Sequence, residues 1–109
     1  MHELSITQSI VEIVAEHARG RKVGRVTLEI GMCAGVAIDA VRFCFDLAAQ
    51  GTALDGASLE IREIEARALC AACGIEFVQK TLYMPCPCGA HEFKRISGEE
   101  LLVKEYELA

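Results

Sequence analysis

Cys70-Ala-Ala-Cys73-Gly74 and Cys86-Pro87-Cys88-Gly89, separated by residues 74–85, put four thiols in two close pairs on one short stretch. Two such turns facing one another bring four thiolates to the corners of a tetrahedron. Zn²⁺ favours that geometry and those soft ligands, and a shell closed by four protein ligands is structural, not catalytic. Glycines after each pair supply the permissive backbone that a tight turn over a metal needs. The second pair is one residue tighter than the first, and His91 follows Cys88 by three. A Cys₃His shell drawn from Cys70, Cys73, His91 and one of the second pair is therefore the alternative to Cys70, Cys73, Cys86 and Cys88. His91 is otherwise expected to be an exposed loop residue. A redox role for Cys70-Ala-Ala-Cys73 lacks the strand–helix context of a thioredoxin-like site. Cys33 and Cys44 have no partner at ligand spacing and are expected to be small buried hydrophobes.

The chain opens Met1-His2-Glu3. An α-amine, the His2 amide nitrogen and the His2 imidazole can chelate one ion in small fused rings, with the Glu3 amide completing a plane. A square-planar nitrogen set suits Ni²⁺ or Cu²⁺ and suits Zn²⁺ poorly. On chemistry alone, a histidine near a terminus is more often a solvated residue than a ligand. No paired catalytic acids, nucleophile–base pair or phosphate-cradling loop is present, so the sequence does not support an enzyme.

These residues need elements to position them. Leu4, Ile6, Ile10, Val11, Ile13, Val14 and His17 recur at spacings of three and four, which predicts a helix from Glu3 to about Arg19. Ser5 and Gln8 match a capping box, and Gly20 is a natural stop. Arg25 to Ile30 alternates as a half-buried strand. Asp39 to Gln50 reads as a second, largely buried helix, with Asp39 as N-cap, an apolar set that includes Val41, Phe43, Phe45 and Leu47, and Gly51 past its end. Leu59, Ile61, Ile64 and Ala66 form a second strand whose phase slips once, as at a bulge. Glu99 to Leu108 forms the last strand. The expected fold is thus α/β (α+β): a small three-stranded sheet with two helices, carrying an inserted zinc-ribbon-like knuckle domain. Residues 1–69 plus 96–109 make the α/β domain, and 70–95, which hold four of the six cysteines and both prolines, make the insert. So small an insert has few core-forming residues, and a metal would supply much of its folding free energy.

Composition narrows the partners. The 109 residues are 52% hydrophobic, which marks a globular chain, and the net charge of −5 argues against nucleic acid or an anionic membrane surface. No stretch approaches the ~20 apolar residues of a membrane span. No secretory signal is evident, and the cytoplasm, where thiols stay reduced, is the expected compartment.

The opening Met1-His2-Glu3-Leu4-Ser5-Ile6, the Gly31 turn after the first strand, the two cysteine pairs and the Ser97-Gly98-Glu99-Glu100-Leu101 approach to the last strand resemble the HypA/HybF family over the whole chain. The resemblance implies a nickel metallochaperone for [NiFe]-hydrogenase maturation. It implies Ni²⁺ at Met1, His2 and Glu3, and structural Zn²⁺ at Cys70, Cys73, Cys86 and Cys88. It also implies the GTPase HypB and the hydrogenase large-subunit precursor as partners, with urease maturation served by some members. The family usually has Cys-Pro-x-Cys-Gly where this chain has Cys86-Pro87-Cys88-Gly89, a shortening that bears most on Cys86. Two other classes compete with it: a zinc-ribbon adaptor for protein or nucleic acid, and a small Cys₄ iron electron carrier, which would leave the α/β part unexplained.

Overall fold

The computed structural model describes residues 2–109; Met1, the first of the expected nickel ligands, lies outside them. The element order is α1 (Glu3–His17), β1 (Val23–Gly31), α2 (Ile38–Ala49), β2 (Ser58–Ile64), β3 (Ala66–Cys70), β4 (Glu76–Gln79), β5 (Phe93–Ser97) and β6 (Leu101–Leu108). The strands form two three-stranded sheets, ordered β2-β1-β6 and β4-β3-β5. The fold is α+β. The chain divides into two compact units, one of residues 1–28, 35–62 and 102–109, the other of 29–34 and 63–101.

In the first unit α1 packs on α2. Its core is Ile10, Val11 and Val14 of α1, Val23, Val26 and Leu28 of β1, Val41, Phe45 and Ala49 of α2, and Leu54. Both helices bury a narrower stripe than their apolar content suggests. Ile13 is 60% exposed on α1 and Phe43 67% exposed on α2. Contrary to expectation, α2 is therefore not largely buried, with Leu47 also 46% exposed. One stripe of a two-helix layer meets the core, and residues off that stripe stay in water whatever their type.

The expected caps also differ. α1 starts directly after His2, with no side-chain cap, so Ser5 and Gln8 lie inside the helix and form no capping box. Thr7 takes up two carbonyls of that first turn, donating its hydroxyl to Glu3 O (3.0 Å) and Leu4 O (2.9 Å). The N-cap of α2 is Ala37, not Asp39, which lies two residues further in, where a carboxylate still favours the positive end of the helix. The end of α1 is tied to β6 by His17 Nδ1 and the Tyr106 hydroxyl, 2.7 Å apart, with their rings edge-on. Exposed ion pairs of Arg25 with Glu60 and Glu107, and of Arg62 with Glu105, lace β1, β2 and β6; such pairs contribute little stability each.

In the second unit β3 is central and antiparallel to both neighbours. The single strand expected over Leu59, Ile61, Ile64 and Ala66 is in fact two strands in different sheets: β2 ends at Ile64 and β3 starts at Ala66. The phase slip, from Ile61 to Ile64, lies inside β2, before this junction. Here the backbone is crowded. A Cβ on Gly31 would lie 2.0 Å from Gly98 O, and Gly98, at φ 109°, sits with its Cα side against Ala66. Gly31 N–H donates to Glu100 O (2.7 Å) and Cys33 N–H to Gly98 O (2.6 Å), so only a side chain of no size fits at the crossing.

Candidate metal centre

The first knuckle follows β3. Cys70 N–H donates to Ile75 O (2.9 Å) and Gly74 N–H to Cys70 O (3.0 Å). The second repeats the pattern with one residue fewer: Cys86 N–H donates to Ala90 O (3.1 Å) and Gly89 N–H to Cys86 O (2.8 Å). Gly74 and Gly89 take φ of 78° and 92°, the left-handed region each turn requires. The missing residue in Cys86-Pro87-Cys88 is thus absorbed by a tighter turn, and both sulfurs still face the first pair.

The four sulfurs all lie within 4.8 Å of one another. Cys73 Sγ is 3.6 Å from Cys86 Sγ, and Cys70 Sγ is 3.7 Å from Cys88 Sγ. A tetrahedron of Zn–S bonds has edges of about 3.8 Å. Donor type, number and spacing therefore fit Zn²⁺. His91 is exposed and outside this cluster. Cys33 and Cys44 are half-buried free thiols, also outside it.

The sulfurs are not equivalent. Amide N–H groups of Cys73 and Ala72 point at Cys70 Sγ, each at 3.4 Å, and they pull its thiol down to about 6. Cys86 is buried, with one amide donor, Cys88 N–H at 3.5 Å; desolvation pushes its thiol up to about 12. At Cys73 the Ile75 amide and the Cys86 sulfur pull downward, but desolvation and the Cys70 and Cys88 sulfurs prevail and the thiol is raised. Behind the sulfurs, Ala68, Cys70, Phe77 and Cys86 form a small core, with Met84, Ala90 and Phe93 packed against it.

At the other end of the chain, His2 is exposed at the start of α1 and Glu3 is half-buried. Glu3 Oε2 accepts a hydrogen bond from Ala37 N–H at 3.3 Å, and that bond, ahead of the nearby charges, holds the carboxyl below its ordinary range. This tether between the first turn of α1 and the N-cap of α2 carries no sequence signal, because the donor is a backbone amide.

Comparison with known proteins gives one consistent result. A family model described as "Hydrogenase/urease nickel incorporation, metallochaperone, hypA" matches residues 1–108. The hydrogenase maturation factor HypA of Nostoc sp. strain PCC 7120 is 51% identical over 108 residues, covering 99% of this chain and 96% of that one. The Geobacter metallireducens protein of the same name is 50% identical over 109 residues, covering 99% of both. The solution structure of the nickel metallochaperone HypA from Helicobacter pylori aligns with a TM-score of 0.68 at 23% identity, over 99% of this chain and 97% of that one. A second HypA solution structure aligns at 0.70 and 24%, over 100% and 97%.

Proposed function

The chain belongs to the HypA family of hydrogenase-maturation nickel metallochaperones, and from that premise we propose that it takes up Ni²⁺ through Met1, His2 and Glu3 and delivers it to the [NiFe]-hydrogenase large-subunit precursor. The observation that carries this reading is the full-length family match, joined to a His2 that is exposed where α1 begins. An open chelate of neighbouring nitrogens suits a carrier. Its ligands are local in sequence, so loading needs little reorganisation, and its open faces let an acceptor attack the bound ion before the carrier lets go. Binding displaces amide and ammonium protons, so nickel affinity rises with pH.

The second half of the proposal is a structural Zn²⁺ held by Cys70, Cys73, Cys86 and Cys88. Four thiolates leave no open position, so that ion would fix the turns between β3 and β5 and take no part in transfer. The planar nitrogen site and the tetrahedral sulfur site select different ions by geometry and ligand softness. The GTPase HypB is the proposed partner in delivery, with urease as a second destination and the cytoplasm as the compartment. None of the described helices is long and apolar enough to cross a membrane.

The test uses protein with its native N-terminus. His2→Ala removes the imidazole, and one extra residue before Met1 moves the amine out of chelating position. Each is expected to abolish nickel binding in calorimetry and hydrogenase maturation in cells while zinc content stays the same. An extended protein that binds Ni²⁺ as well as the native one would place the nickel site elsewhere.

A further inference from the structure

Gln79 and Arg95 form a polar pair in the second unit that neither the knuckles nor the sheet ladder requires. Gln79 ends β4 and is 1% exposed. In the β3 ladders it stands opposite Ala66, and Arg95 of β5 stands opposite Ala68. Paired residues share a face, and the two alanines on β3 are too small to fill the space between. The long side chains of the two outer strands therefore meet above them. Gln79 Oε1 accepts from Arg95 Nη2 (3.2 Å) and Nε (3.4 Å). Gln79 Nε2 and Arg95 Nη2 also both reach the loop that leads into the second knuckle, while Arg95 Nη1 lies 4.0 Å from Glu99 Oε2. Gln79 Nε2 donates to Met84 O (3.0 Å), and Arg95 Nη2 donates to Leu82 O (2.7 Å). The guanidinium also sits 5.5 Å from the centroid of Phe93, whose ring is edge-on to Phe77 in the core behind the sulfurs.

Burying an amide, and withdrawing a guanidinium to 16% exposure, is costly unless the arms find partners. Here no buried side-chain nitrogen or oxygen among the described residues lacks a partner. The arms go to the carbonyls four and two residues before Cys86. These are the residues whose placement decides whether the short Cys86-Pro87-Cys88 turn faces Cys70 and Cys73. We propose that Gln79 and Arg95 are positioning residues for the sulfur site: a clamp that holds residues 82–84 so that the second cysteine pair is in place before a metal ion arrives. This rests on the zinc reading above. An ion arriving at a preset pair of turns need not order the loop itself, and partners one shell out from metal ligands commonly contribute 10–100-fold in affinity.

The test is metal binding by the full chain, with Zn²⁺ and with Co²⁺ as a spectroscopic substitute, in competition with a chelator. Gln79→Leu keeps the volume and removes both arms. Arg95→Lys keeps the charge but cannot serve Gln79 and the Leu82 carbonyl together. Both variants are expected to keep the four-sulfur Co²⁺ spectrum while losing about 10-fold or more in affinity, with Arg95→Lys the milder. The rate at which the chelator strips the ion is expected to rise in parallel. A clamp that only stabilised the fold would lower the melting temperature and leave affinity and stripping rate as in wild type; that result overturns the proposal. A variant that fails to fold is covered by the other, because either alone suffices for the comparison. If wild-type protein takes up no ion at its cysteines, the zinc reading falls and the clamp with it. If wild type binds and both variants match it, the clamp alone falls.

Discussion

At the scale of single residues, the four cysteines differ in what they need from a metal. Cys70 already has two amide donors and a thiol near 6, so at neutral pH its sulfur is anionic before any ion binds. Cys73 and Cys86 are raised, the latter to about 12, and must surrender protons when a metal arrives. The sign follows: as pH rises, fewer protons remain to be displaced and apparent zinc affinity climbs. Cys70 should contribute to that slope only below about pH 7, whereas Cys73 and Cys86 contribute across the neutral range. Calorimetry in buffers of different ionisation enthalpy counts the protons released. Fewer than four are expected at pH 7.5, with the count growing toward pH 5.5. A release of four protons at both values would mean that the amides do not favour the Cys70 thiolate.

At the scale of elements, α2 separates residues that look alike in sequence. Phe43 and Phe45 are two residues apart and of the same type, yet Phe45 is fully buried and Phe43 mostly in water. Phe45→Ala is expected to cost roughly 3–5 kcal/mol through lost burial and the cavity left behind. Phe43→Ser should change stability by no more than about 0.5 kcal/mol. Chemical denaturation followed by circular dichroism measures both, and similar losses would mean that α2 is rotated about its axis. Periodicity made both helices legible, because 3.6-residue spacing survives even when the apolar stripe is wider than the face that is finally covered. The breadth of that face was not legible, since exposure at Phe43 depends on which elements lie opposite. The cysteine spacing likewise pointed to the sulfur cluster without structure. What it could not supply was the three-stranded sheet behind it: β4 and β5 are four and five residues long, too short for alternation to register. The switch from β2 to β3 left no mark in the pattern, since Ile64 and Ala66 keep one phase across it and only pairing partners reveal the change of sheet. Glu3's bond to a backbone amide left no trace in the sequence at all.

At the scale of the whole molecule, the two units draw their cohesion from different sources. The first has an apolar core drawn from two helices and a sheet, with no cysteine of the cluster in it. The second buries Ala68, Cys70, Phe77 and Cys86, two of whose four members are themselves candidate ligands. Removing the ion with a chelator is therefore expected to accelerate amide hydrogen exchange in β3, β4 and β5 while α1 and α2 remain protected. Uniform acceleration through both helices would show that the first unit also depends on the metal.

The pairing of near sulfurs carries one more consequence, for the chain under oxidising conditions. The two closest contacts, Cys73 with Cys86 and Cys70 with Cys88, each join one knuckle to the other. An oxidant acting on the metal-free protein finds Cys73 and Cys88 exposed, and each has a thiol of the opposite turn as its nearest neighbour. The crosslinks to expect are 73–86 and 70–88, which would staple the two turns together in the arrangement the ion would have imposed. Peptide mapping of air-oxidised apoprotein should recover that pattern, and recovery of 70–73 and 86–88 links would refute it. Oxidation would then act as a mould, keeping the shape of the site while closing it to its ion until a reductant opens it again.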